Sequence, residues 1–210
     1  MRITIRKFQE LNEAAKTELT DIDKSIVMAK IITGLDDDQL QKMTVSKFNK
    51  LCIRINNLFA KLNDTDEHRV APKYIWANGR KYKVNHDINN INAGRYVEVA
   101  TYQSDIIGNL HKIMASIVTP MKLTWKGYRP TMYDVKQHKR MAEDFLEADF
   151  FTAYNSCLFF YALLLKSIDN LNIYGNILAG MKAAQLQNPS QSYSDGYIME
   201  NLYQSLNQLN

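Results

Sequence analysis

Sixteen consecutive residues, FFTAYNSCLFFYALLL (Phe150–Leu165), carry no charge. A stretch this apolar must leave water, either into a bilayer or into a protein core. A membrane-spanning helix needs about 20 apolar residues. This window is shorter and contains Asn155 and Ser156. It also follows the acidic run EDFLEADF, with no basic cluster to orient it. It therefore reads as a core helix, apolar on most faces and continuing to about Leu171. No membrane partner is expected. The start, MRITIRKFQELNEA, lacks an apolar run and is not expected to act as a signal peptide.

Charge is unevenly spread. Asn63 to Arg140 holds 13 Lys/Arg against 7 Asp/Glu, while Met141 to Asn210 holds 2 against 7. A basic middle and an acidic end suit protein–protein contact, within or between subunits. Nucleic acid has little support at this level, because no Lys/Arg stripe is interleaved with stacking aromatics in a known RNA-binding motif. Cys52 and Cys157 sit among apolar residues and read as reduced core thiols.

The fold class expected is mainly α with a small β-hairpin, a compact helical domain around the buried apolar helix. The N-terminal helical subdomain spans 1–63. MRITI reads as a short strand or a frayed start. TDID (Thr20–Asp23) is a capping pattern before a helix ending at Gly34, and LDDDQLQKM reads as a short helix with acidic residues in its first turn. Phe48, Leu51, Cys52, Ile55, Leu58, Phe59 and Leu62 recur at helical spacing.

The hairpin and helical core span 64–171. In KYIWANGRKYKVNHD, Tyr74, Trp76, Tyr82 and Val84 alternate around Asn78-Gly79, the pair that supplies a type I′ turn. The hairpin is expected to pack its aromatic face on the helices, or to pair with ITI near the N-terminus. Asn92 reads as a helix cap. IIGNLHKIMASIVTP reads as a helix stopping at Pro120, MKLTWKGYRP as an irregular loop, and TMYDVKQHKRM as opening on a Thr131 cap. The remainder, 172–210, reads as a linker and an amphipathic helix. There Ile198, Leu202, Leu206 and Leu209 share a stripe and form the candidate partner-binding residues.

No catalytic constellation stands out. His68, His86, His111 and His138 are too far apart in sequence to suggest a zinc pair, and no Cys-x-x-Cys exists. Glu143, Asp144, Glu147 and Asp149 cluster, but without a Glu-x-x-His or a second carboxylate helix they read as favourable charge at a helix N-terminal region plus a solvated face. The aspartates at 36–38 lack the calcium-loop frame. No metal, cofactor or catalytic residue is expected.

The order IITGLDDDQLQKMTVSKFNKL, then YIWANGRKYKVNHDI, AGRYVEVATYQSD, NLHKIMASIVTP and DFFTAYNSCLFFYALL resembles small tail assembly chaperone-like proteins of tailed bacteriophages. The resemblance covers about Ile3 to Leu171. It implies a non-enzymatic morphogenesis factor in the infected bacterial cytoplasm that binds the tape-measure protein or promotes tail-tube assembly. A homo-oligomer is compatible with that role. The alternative is a structural virion protein, an adaptor or packaged protein retained in the particle.

Overall fold

The computed structural model describes residues 2–62, 71–87, 91, 93–132 and 134–169. These fall into two packed units, one of residues 6–62 and one of residues 2–5 with those from 71 onward. The expected Asn92 cap and the 172–210 tail lie outside the described residues.

The first unit is helical throughout. Its helices are α1 (Ile5–Lys16), α2 (Asp21–Thr33), α3 (Asp37–Gln41) and α4 (Val45–Ala60). Their starts are written in side chains that satisfy free backbone N–H groups. The Thr20 hydroxyl accepts from the Asp23 N–H at 3.2 Å. Asp36 and Gln39 form a reciprocal capping box at α3, and Thr44 caps α4. Helix α2 ends on Gly34 at φ 72°, the left-handed conformation glycine adopts most readily. Ala29, Leu40, Leu51 and Ile55 form one buried cluster, with a ring of half-buried side chains around them. Phe8 of α1 meets Phe59 of α4 at 5.5 Å between ring centres.

The second unit joins helices to a four-stranded antiparallel sheet, ordered β1 (Tyr74–Ala77), β2 (Arg80–Val84), β3 (Val118–Thr124) and β4 (Gly127–Pro130). Its helices are α5 (Ala93–Tyr102), α6 (Ile106–Ile117), α7 (His138–Phe145) and α8 (Phe150–Asp169). Helix α6 packs against α5, α7 and α8. In α8, Phe150, Ala153, Tyr154, Cys157, Phe160, Tyr161 and Leu164 are buried, and no residue from 150 to 165 is exposed. The uncharged window is therefore a core helix. No described helix is long and apolar enough to cross a membrane.

The chain is mainly α with a small sheet, as expected, but three local expectations need correction. The helix through Ile106 ends at Ile117, and Val118–Thr124 is a strand. The β-branched run Ile117–Thr119 favours extended backbone, and Pro120 disfavours helix at the residue before it. MKLTWKGYRP is not an irregular loop but part of a second hairpin, in which Thr124 pairs with Gly127 around Trp125 and Lys126. Gly127, which follows the two turn residues, has positive φ at 91°, a conformation glycine adopts without strain. The expected Thr131 cap is not made: Asp134 caps the short 3-10 turn that precedes α7. Thr131 instead bonds to the Pro120 carbonyl through both its N–H and its hydroxyl.

The N-terminal segment does not join the sheet. Thr4 makes a single bridge to Asp149, and β2 pairs with β3. At the first turn, Asn78 and Gly79 have φ of 47° and 71°, both positive as a type I′ turn demands.

Two substitutions test these elements by equilibrium urea unfolding. Phe160→Ala removes a buried ring and should cost about 3–5 kcal/mol. Gly79→Val places a β-branched residue at positive φ and should cost about 1–2 kcal/mol. An unchanged midpoint in either variant contradicts the corresponding assignment.

Candidate functional site

The strand register sorts the hairpin side chains onto two faces. Across β1 and β2, Ile75 pairs with Tyr82, and Trp76 with Lys81. Paired residues share a face, so Tyr74, Trp76, Tyr82 and Val84 do not form one packed set as their alternation suggested. Ile75, Tyr82 and Val84 are buried, whereas Trp76 faces water with Lys81. The two-residue turn reverses the parity of alternation between the strands.

Strand β3 works in two halves. Val118–Pro120 pair with β2, and Met121–Thr124 pair with β4. The second hairpin consequently brings Tyr128 onto Trp76, edge to face at 5.9 Å. Lys81 lies between Tyr74 and Tyr128, 4.3 and 4.7 Å from their ring centres. At the tip, Lys126 covers Trp125 at 4.4 Å. The result is an outward face of aromatic rings interleaved with cations. Trp76 is 50% exposed and Trp125 is 90% exposed, so both tryptophans of the chain are open to a partner.

One carboxylate anchors this assembly. Asp144 of α7 is 3% exposed and accepts three hydrogen bonds from the first hairpin. The donors are Asn78 Nδ2 at 2.8 Å, an Arg80 guanidinium nitrogen at 2.6 Å and the Tyr82 hydroxyl at 2.7 Å. Burial pushes the Asp144 pKa up, but the bonds from Tyr82, Asn78 and Arg80 outweigh it and hold the carboxyl below its usual value. Burial, reinforced by the bond to Asp144, pushes the Tyr82 phenol up. The acidic cluster is thus not a uniform solvated face. Glu143 and Glu147 are exposed, Asp144 is the anchor, and Asp149 caps α8 by accepting from the Thr152 N–H at 3.0 Å and hydroxyl at 2.6 Å.

A second polar cluster brings together residues that no sequence pattern linked. Ser116 Oγ donates to Glu98 Oε2 at 2.9 Å and lies 2.9 Å from His138 Nε2. His138 Nε2 also lies 3.2 Å from the Lys112 carbonyl and 3.7 Å from Glu98 Oε2. A serine–histidine–acid relay needs the carboxylate on the other ring nitrogen. Here all partners crowd one nitrogen, which must carry a hydrogen to bond the Lys112 carbonyl. Ser116 is moreover fully buried. The cluster fastens α5, α6 and α7 together and is not arranged to activate a nucleophile.

The remaining candidates are structural or unplaced. Cys157 is buried, which raises its thiol pKa and disfavours the reactive thiolate. Among the described residues, no group of three or more His, Cys, Asp or Glu could hold a metal ion. Ile198, Leu202, Leu206 and Leu209 lie outside the described residues. A different apolar surface is visible on α2. Its six large apolar residues, Ile22, Ile26, Val27, Met28, Ile31 and Ile32, are none of them fully buried, and Ile22 is 72% exposed. No family model, curated protein or solved structure matches the chain.

The Asp144 anchor predicts a pH dependence. Its folded pKa lies below the unfolded value, so its contribution is present above the unfolded pKa and is lost as pH falls through the folded pKa. Asp144→Asn should lower stability at neutral pH by about 1–3 kcal/mol. It should also flatten the loss of stability below about pH 4. Urea unfolding at pH 7 and at pH 3 checks this; a variant with the wild-type pH profile contradicts it.

Proposed function

We propose that the protein is a non-enzymatic phage morphogenesis factor, a tail assembly chaperone that binds the tape-measure protein or tail-tube components. The observation that carries the reading is helix α2. A helix with apolar residues around much of its circumference belongs in a core. Yet only Ala29 of α2 is buried in this chain. Ile26, Met28 and Ile32 pack against the buried cluster of Ala29, Leu40, Leu51 and Ile55. A 100° step per residue puts Val27 and Ile31 on a different side of the helix, one turn apart. Such a surface suits a second apolar helix laid alongside it, and Met28 adds a side chain that adapts to irregular contacts. A long apolar helical client, as the family resemblance implies, matches that requirement.

Co-expression with the tape-measure protein of the same phage tests the reading. The expected result is a soluble complex, lost in Val27→Asp/Ile31→Asp while the circular dichroism of the variant stays helical. A complex that tolerates both substitutions contradicts docking on α2. Mass spectrometry of purified virions separates the two morphogenesis roles. A chaperone is absent from finished particles, whereas its presence at stoichiometric levels identifies a structural virion protein instead.

A further inference from the structure

We propose that the outward face of the two hairpins binds single-stranded nucleic acid, with unpaired bases stacking on Trp76 and Trp125 and phosphates held by the surrounding cations. The proposal goes beyond the assembly role and uses a different surface from α2.

Charge comes first. Residues 73–84 hold four Lys/Arg and residues 118–132 hold three, with no Asp or Glu in either segment. By strand register Lys81 and Lys83 share the face of Trp76 and Tyr128, and Lys126 lies at the tip of the second hairpin, whereas Arg80 engages Asp144 and Lys122 pairs with Arg129 on the other face. A polyanion is the complementary partner. The protein's own C-terminal segment does not supply one, since residues 170–210 contain Asp195 and Glu200 against Lys182.

The aromatic rings narrow the partner further. An acidic protein segment would satisfy the cations but has no flat surfaces to match exposed indoles. Nucleobases provide both stacking faces and a phosphate backbone that tracks a basic surface. A duplex hides its base faces within the stack, which favours single strands. The geometry is also prepared: Lys81 is fixed between Tyr74 and Tyr128, and Lys126 over Trp125, so cations already sit beside the rings. The interleaving of charge and aromatics is invisible along the chain because it is made across strands.

Trp76 lies on this face and Trp125 at the tip of the second hairpin, and they are the two tryptophans of the chain, so intrinsic tryptophan fluorescence reports on the two hairpins. The experiment titrates the full chain with a fifteen-nucleotide oligothymidylate, an abasic oligonucleotide of equal length, the matching duplex and polyglutamate. Oligothymidylate should quench the fluorescence and bind at least about tenfold more tightly than the abasic strand. Its affinity should fall as salt rises. Trp125→Ala should weaken binding about tenfold without altering the circular dichroism spectrum. Lys81→Glu should weaken it and reduce the salt dependence. The proposal is overturned if oligothymidylate neither binds nor quenches. It is equally overturned if the abasic strand or polyglutamate binds as tightly, which would make this an acidic-protein surface. Tighter binding of the duplex would also exclude stacking on unpaired bases.

Discussion

The second unit depends on one buried carboxylate. A two-stranded hairpin is marginal in water by itself. Here Asp144 draws three donors from that hairpin, and two of them, Asn78 and Arg80, sit in or beside its turn. Asn78 therefore has two duties: its backbone takes the positive φ of the turn, and its amide bonds to the anchor. Tyr82 adds packing, with its ring 4.9 Å from Phe145, the residue after Asp144. Charge-assisted hydrogen bonds are stronger than neutral ones and need precise placement. Asp144 thus holds β2 against α7, β2 holds β3, and β3 carries β4 with its exposed aromatics.

This order explains what could be read directly from the residues. Local signals were legible: the Thr20 cap and the acidic first turn of the short helix at Asp37–Gln41 mark helix starts. Asn78-Gly79 marks a turn because few other pairs tolerate two positive φ angles. The uncharged Phe150–Leu165 window marks a core helix. The second hairpin was less legible, since Trp-Lys-Gly depends on a single left-handed glycine rather than a recognised turn pair. Asp144 was illegible for a different reason. It lies in an acidic run that resembles a solvated surface, and its donors are 62 to 66 residues distant. The Ser116, Glu98 and His138 cluster is similarly non-local. Register also defeated simple alternation, because a two-residue turn places Trp76 and Tyr82 on opposite faces.

The two units present different chemistry to partners. The helical unit offers an apolar helix whose side chains are only half covered. The sheet offers rings and cations on a fixed scaffold. Partly covered apolar surface is compatible with the proposed assembly role, in which a client is bound and then released. Polar clusters inside the second unit fasten helices and strands to one another. They contribute rigidity to the face rather than chemistry of their own.

Amide hydrogen exchange on Asp144→Ala, read segment by segment against wild type, tests the central dependence most directly. Loss of the anchor should open the hairpins by local unfolding. Protection is predicted to fall in β1 to β4 while α2 to α4 keep wild-type exchange. Unchanged protection in the strands would show that the sheet does not rest on Asp144, and an equal loss in every element would show that the anchor is not specific to it.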